Sequence, residues 1–204
     1  MKRLLVATGN PGKLGEIAVA LEGVGVVVVG LDTLPEAAEV AETGATFEDN
    51  ARIKAAAYSC LTPMPVVADD SGLEVDALDG APGVHSARYG GPGLNDAART
   101  RKLVEALRAV PDPDRTVRFR CVLAVASEGR VLATFEGAVE GRITREPRGS
   151  GGFGYDPVFF HPPSGCTFAE LTRTEKQAVS HRGAAVEALV RAIRDRDPRL
   201  RSIG

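Results

Sequence analysis

The chain contains no tryptophan, and aromatic residues make up only 5% of it. Rings are therefore scarce, and any segment where they gather stands out. Cysteine is scarce as well. Cys60, Cys121 and Cys166 are odd in number and far apart, which argues against a disulfide framework and a structural zinc site. That pattern suits a reducing compartment. No excess of either charge is present: 25 Lys+Arg stand against 27 Asp+Glu, a formal net charge of −2. Nothing electrostatic favours a nucleic-acid polymer or an anionic membrane as partner. The apolar run in Met1-Lys2-Arg3-Leu4-Leu5-Val6 is too short for a signal peptide or a membrane span, so a cytoplasmic protein is expected. Internal repeats, low-complexity tracts and linkers are also missing. A chain of 204 residues then leaves one large domain or two lobes sharing a sheet. At that length roughly 70% of the unfolded surface is buried on folding, so a core needs no staples.

The chain opens as strand, tight loop, helix and strand. Leu4 to Ala7 is short and apolar, Thr8-Gly9-Asn10-Pro11-Gly12 interrupts it, and Lys13 to Leu21 carries helical apolar spacing. Val26 to Val29 is a second β-branched run. This order favours an α/β fold. Thr46-Phe47-Glu48-Asp49 reads as a capping box for a helix reaching about Cys60, with Asp where Glu is usual. Val66-Val67-Ala68 reads as a strand that stops at Asp69-Asp70-Ser71-Gly72. Asn95 caps an expected helix to Val110. Val117–Ala126 and Val131–Val139 form an expected hairpin through Glu128-Gly129-Arg130. A last helix covers about Ser180 to Arg194.

Six segments carry chemistry. Gly149-Ser150-Gly151-Gly152-Phe153-Gly154-Tyr155-Asp156-Pro157 packs glycines, two rings and a carboxylate into one stretch. Glycine permits positive φ and close approach, rings offer flat faces, and a carboxylate accepts hydrogen bonds. It reads as a clamp for a planar polar ligand. The Thr8 to Lys13 loop feeds a helix N-terminus, where amide N–H groups and the helix dipole favour an anion. Lys13 there opposes the dipole unless a phosphate is bound. It is not a Walker loop, because Ala7 and Leu14 stand at required Gly and Ser/Thr positions. An ordinary turn with a solvent-facing lysine is the other reading.

Asp69 and Asp70 could both reach one cleft if the strand unwinds into a turn, and carboxylates suit Mg²⁺. An Asx turn is the alternative. The acidic loop Glu42-Thr43-Gly44 could add a metal ligand, or be solvated surface. Asn50 and Lys54 share a helix face, and Lys54 either meets an anion or faces water. Lys176, His181 and Arg182 cluster near the entry to the last helix, again opposing a dipole. His181 fits a capping or core role equally well.

In this order, Thr8-Gly9-Asn10-Pro11-Gly12-Lys13, Thr46-Phe47-Glu48-Asp49-Asn50-Ala51 with Lys54, Ala68-Asp69-Asp70-Ser71-Gly72-Leu73, Gly80-Ala81-Pro82-Gly83 with Ser86-Ala87-Arg88-Tyr89, Gly152-Phe153-Gly154-Tyr155-Asp156-Pro157 and Ser180-His181-Arg182-Gly183 together resemble the inosine triphosphate pyrophosphatase family (dITP/XTP pyrophosphatases). The likeness runs from about Lys2 to Ile193. It implies one α/β domain over residues 1–204, with a long mixed β-sheet flanked by helices and two lobes about a central active-site cleft. It implies hydrolysis of ITP, dITP or XTP to the monophosphate and pyrophosphate, with Mg²⁺, by a homodimer. Carried over by motif, Thr8, Gly9, Asn10, Pro11, Gly12 and Lys13 bind the triphosphate. Asp70 is the general base and a metal ligand, Glu42 the second ligand, and Ser71 a substrate contact. Phe153, Gly154, Tyr155, Asp156, Lys176, His181 and Arg182 hold the base and sugar. Hypoxanthine and xanthine present an acceptor oxygen at C6 where adenine presents an amine. Donors in the pocket would leave that amine unpaired, at about 1–3 kcal/mol per buried group. A nucleotide-binding sensor and a pyrimidine-specific pyrophosphatase are the competing expectations.

Overall fold

The computed structural model describes residues 2–34, 38–201 and 203. Its strands and α-helices, in chain order, are β1 (Lys2–Ala7), α1 (Pro11–Ala20), β2 (Val26–Val29), α2 (Phe47–Ser59), β3 (Val66–Val75), α3 (Asp96–Ala106), β4 (Thr116–Ser127), β5 (Arg130–Ile143), β6 (Phe159–His161), β7 (Cys166–Thr167), α4 (Arg173–Val179) and α5 (His181–Arg194). The strands form one mixed sheet in the order β2-β1-β3-β4-β5-β6-β7. β1 runs parallel to both β2 and β3, with Leu5 opposite Val29 and Val66. β6 is antiparallel to β5 and β7. The mixed, helix-flanked sheet expected from the sequence is thus present.

Cα packing separates two compact units. The first contains Met1–Asp70, Cys121–Gly137 and His181–Gly204; the second contains Ser71–Arg120 and Ala138–Ser180. The first unit buries Leu4, Val6, Ile17, Leu21, Val67, Leu123 and Val125 together with one stripe of α5. That stripe is Ala185, Val186, Leu189, Val190 and Ile193, the three-and-four spacing of an amphipathic helix. Each large side chain buried this way stabilises the unit by roughly 1.5–3 kcal/mol. Gly137 lets α5 lie directly on β5, because a Cβ there would collide with the His181 carbonyl oxygen and sit 2.7 Å from the Ala185 nitrogen.

The second unit centres on Leu73, Val75, Leu103, Leu107, Val117, Ile143, Val158 and the packed rings of Phe119, Phe159 and Phe168. Arg115 is buried within it and donates to the carbonyls of Leu107, Ile143 and Thr144 at 2.6–2.9 Å. Its cation thereby closes the C-terminal end of α3, where the helix dipole favours positive charge.

Several boundaries match the sequence reading. Thr46 and Asp49 form the reciprocal capping box of α2, and Asn95 caps α3. α3 ends at Ala106, earlier than Val110. β3 departs more sharply: it continues through Asp69-Asp70-Ser71-Gly72 to Val75 instead of unwinding. Among the described residues no helix is long and apolar enough to cross a membrane.

Candidate active site

The first unit gathers most of the expected phosphate and metal residues. Asn10 is the N-cap of α1, and its side-chain oxygen accepts from the Gly12 and Lys13 amides at 2.8 and 3.2 Å. Pro11 occupies the first helical position, where its missing N–H costs nothing. The Asn10 amide in turn donates to the Thr8 hydroxyl at 3.2 Å. Two of the amides expected to face an anion are thus satisfied inside the loop. The charged group of this loop is the Lys13 ammonium, which is partly exposed.

β3 supplies both aspartates, and the extended backbone sends neighbouring side chains to opposite faces of the sheet. Asp69 meets Lys13 at 3.1 Å and the Arg182 guanidinium at 3.4 Å. The Cys121 thiol lies 4.0 Å from the same carboxylate. Asp70 instead accepts from the Asn50 amide at 3.1 Å and lies 3.6 Å from Lys54. Asn50 and Lys54 do share a face of α2, as their spacing predicts. Asn50 also accepts from the Gly44 amide at 2.8 Å, and Lys54 pairs with Glu42 at 2.7 Å. The acidic loop is thereby brought to Asp70.

Electrostatics separate the two carboxylates. Burial pushes Asp69 upward, but Lys13, Arg182 and Lys54 outweigh it and hold the carboxyl well below the ordinary range. For Asp70, burial wins with help from Glu42, and its pKa is raised despite Lys54, Lys13 and Asn50. Lys54 loses from burial but gains more from Asp69, Asp70 and Glu42, so it stays a firm cation. Burial pushes the Cys121 thiol up to about 12, leaving it protonated at neutral pH.

Arg182 departs from its expected company. The motif reading grouped it with Lys176 and His181 around the base. Its guanidinium is 2% exposed and engages Glu16 as well as Asp69, all within the first unit. Glu16 joins this charge cluster through Arg182, and the sequence reading does not single it out. His181 is buried at the first residue of α5.

The clamp segment lies in the second unit. Lys176, 5% exposed, donates to Asp156 at 2.6 Å and sits 4.6 Å from the centre of the Phe153 ring. The Phe153 amide donates to the same Asp156 oxygen at 2.8 Å. Gly152 has φ of +70°, and a Cβ there would meet the Asp156 carboxylate, so this turn requires glycine. Gly154 is anchored by its amide to Asp96 and by its carbonyl to Thr100. Tyr155 is buried and donates to the Ser86 carbonyl at 2.8 Å. It is a structural ring, and Phe153 is the half-buried one. Ser71 follows Asp70 on β3 and is half-buried.

Mg²⁺ binds oxygen ligands and commonly uses only one or two carboxylates besides water and phosphate oxygens. Glu42 and Asp70, flanking one ammonium, match that chemistry. Among the described residues no group of three or more His, Cys, Asp or Glu could hold an ion.

A mixed sheet with a buried carboxylate-lysine cluster at α1, α2 and β3 has the charged groups of a phosphate-handling class of protein. The Ham1 family model matches residues 4–192, and the chain belongs to that family. A Geobacter sulfurreducens protein named dITP/XTP pyrophosphatase is 51% identical over 93% of this chain and 95% of its own length. One of the same name from Escherichia coli K12 is 48% identical over 96% of this chain and all of its own. Among solved structures, a HAM1 protein from Coxiella burnetii superposes with a TM-score of 0.87 at 41% identity, covering 96% of this chain and 100% of that one.

Proposed function

We propose that this protein is a nucleoside triphosphate pyrophosphohydrolase acting on dITP, ITP and XTP, a hydrolase of phosphoric anhydride bonds. The observation carrying this reading is near-50% identity, over almost the full chain, to proteins named dITP/XTP pyrophosphatase. The charge cluster supports the same chemistry. Lys13 and Lys54 are cations placed for phosphate oxygens, and Asp70 is a buried carboxylate of raised pKa beside one of them. Glu42 and Asp70 would hold Mg²⁺, which would neutralise phosphate charge and stabilise the departing pyrophosphate.

Charge counting favours a cation as well. Among the described pairs, three cations (Lys13, Lys54, Arg182) face four carboxylates (Glu16, Glu42, Asp69, Asp70). A cluster of net negative charge receives a polyanion poorly unless positive charge arrives with it.

In the proposed reaction Asp70 orients a water and accepts its proton as the oxygen attacks the α-phosphorus. The bond from that phosphorus to the bridging oxygen breaks, yielding monophosphate and pyrophosphate. Lys13 and Lys54 stabilise the charge that accumulates on the phosphate oxygens. Phe153 stacks on the purine, and Lys176, held by Asp156, donates toward the C6 oxygen. His181 is another base-side donor, and Ser71 a substrate contact. Arg182, held by Glu16 and Asp69, is a further base-side donor, since a guanidinium carries five N–H groups. The enzyme is proposed to work in the cytoplasm as a homodimer. Pyrophosphate release from ITP with and without Mg²⁺ tests the reading; release that is indifferent to the metal would contradict the Glu42–Asp70 assignment.

A further inference from the structure

The place of the Phe153 ring depends on the backbone to either side of it. On the N-terminal side, the Phe153 amide donates to Asp156 at 2.8 Å. On the C-terminal side stands Gly154, with φ of +61°. A Cβ at Gly154 would meet nothing within 4 Å, so no packing braces the residue on that side. Hydrogen bonds from α3 hold it instead. The Gly154 amide donates to Asp96 at 2.9 Å, and the Thr100 hydroxyl donates to the Gly154 carbonyl at 3.2 Å. Asp96 and Thr100 are four residues apart, hence on one face of α3. Thr100 is buried, whereas the Asp96 side chain is 59% exposed. Arg99 lies 3.9 Å from the other Asp96 oxygen and steadies that carboxylate. All these groups belong to the second unit. Beyond Gly154 the chain is anchored independently: Tyr155 donates to the Ser86 carbonyl, and Val158 and Phe159 lie in the core. Loss of the α3 contacts therefore frees the Phe153 turn without opening that core.

We propose that Asp96 and Thr100 are positioning residues for base recognition: by holding both polar groups of Gly154 they set the Phe153 ring in the orientation that stacks on a purine. The proposal rests on Phe153 being the base contact of the function above. It adds α3 to the parts of the chain that act on the substrate, through Gly154 and not by touching the nucleotide. Glycine is the most permissive joint a backbone can have, so one placed beside a stacking ring needs an external grip. A ring ordered before the nucleotide arrives costs nothing to order on binding. The effect of the grip thus falls on affinity, and the chemical step is left alone.

The test compares Thr100→Val, Thr100→Ser and Asp96→Ala in the full-length protein by two readouts. One is amide hydrogen exchange across residues 152–155 without ligand, and the other is steady-state kinetics on ITP with Mg²⁺. Thr100→Val removes the hydroxyl with little change of shape. It is expected to raise KM about three- to tenfold, the scale of one net hydrogen bond, with kcat nearly unchanged. It should also speed exchange at the Phe153 amide by a similar factor, although that amide keeps Asp156 as its acceptor. Thr100→Ser keeps the donor and is expected to restore both readouts, which a general loss of packing would not do. Asp96→Ala sits at an exposed position and is the second probe should Thr100→Val fold poorly; the same rise in KM is expected. Unchanged exchange in both Thr100→Val and Asp96→Ala, a fall in kcat at constant KM, or no rescue by Thr100→Ser overturns the proposal. Wild-type protein that turns over no nucleotide would contradict the proposed function alone, the grip on the Phe153 turn being read from exchange.

Discussion

Asp69 and Asp70 are chain neighbours whose carboxylates make their short ion pairs with different lysines, Asp69 with Lys13 at 3.1 Å and Asp70 with Lys54 at 3.6 Å. The pleat of β3 produces this division, and the pKa directions follow it: Asp69 is held low by three cations, while burial keeps Asp70 high. A base must be able to take a proton, and a group held far below the usual range does so poorly. On the proposed mechanism, Asp70 is the member of the pair suited to accept a proton and Asp69 the one suited to remain a counterion.

Asp70→Asn is expected to bind ITP but to lose turnover by at least about two orders of magnitude, the low end for removing a general base. Pyrophosphate release measured beside ligand affinity checks this. Release near the wild-type rate would remove Asp70 from that role.

Acidification should separate the two aspartates. Asp69 has a depressed folded pKa, so the stability from its ion pairs is present above the unfolded value of 3.8 and lost only as pH falls through the lower folded value. Asp70 has a raised pKa, so its ionised form costs stability above 3.8 and protonates first as pH drops. Carboxyl carbon shifts of the ligand-free protein should therefore show Asp70 titrating above 3.8 with the fold intact. Adding Mg²⁺ should move that titration downward, since a bound cation favours the ionised form. Titration of Asp69 before Asp70 would contradict the assignment.

Lys13→Ala and Lys176→Ala should fail differently. Lys13→Ala is expected to lower kcat/KM for every triphosphate by about tenfold or more without altering the ITP-to-ATP ratio. Lys176→Ala strips Asp156 of its buried cation and should narrow that ratio, because the base-side donor is lost. Steady-state kinetics on both nucleotides distinguishes the two.

Gly137→Ala should destabilise the protein by about 1–3 kcal/mol, the range for overpacking, because a new Cβ meets the backbone at the start of α5. Urea unfolding reads this as a lower midpoint with an unchanged slope. An unchanged midpoint would mean that α5 does not lie as close to β5 as described.

The local signals proved readable. The Thr46–Asp49 box, the Asn95 cap and the apolar stripe of α5 are short-range patterns, and each stands close to its expected place. Asp69-Asp70-Ser71-Gly72 misled because its residues disfavour strands individually, and only pairing within the sheet keeps them extended. Asn10 reads as part of a loop by its glycine neighbours, although Pro11 immediately after it is the usual mark of a capped helix start. Thr172-Arg173-Thr174-Glu175 is a legible capping box for α4. Glu16 could not be found this way. A single acidic residue on a short helix reads as solvated, and its meaning depends on Arg182, far along the chain. Lys176 is legible as a candidate, but its link to Asp156 is made by tertiary packing alone.

A panel assay of pyrophosphate release from ITP, XTP, ATP, GTP and dTTP with Mg²⁺ bears on the proposed function at its root. Turnover of ITP and XTP should exceed that of ATP and dTTP by about a hundredfold or more, the scale reachable when a site's donors are left facing the wrong group. Equal rates across the panel, or no release from any nucleotide, would contradict it.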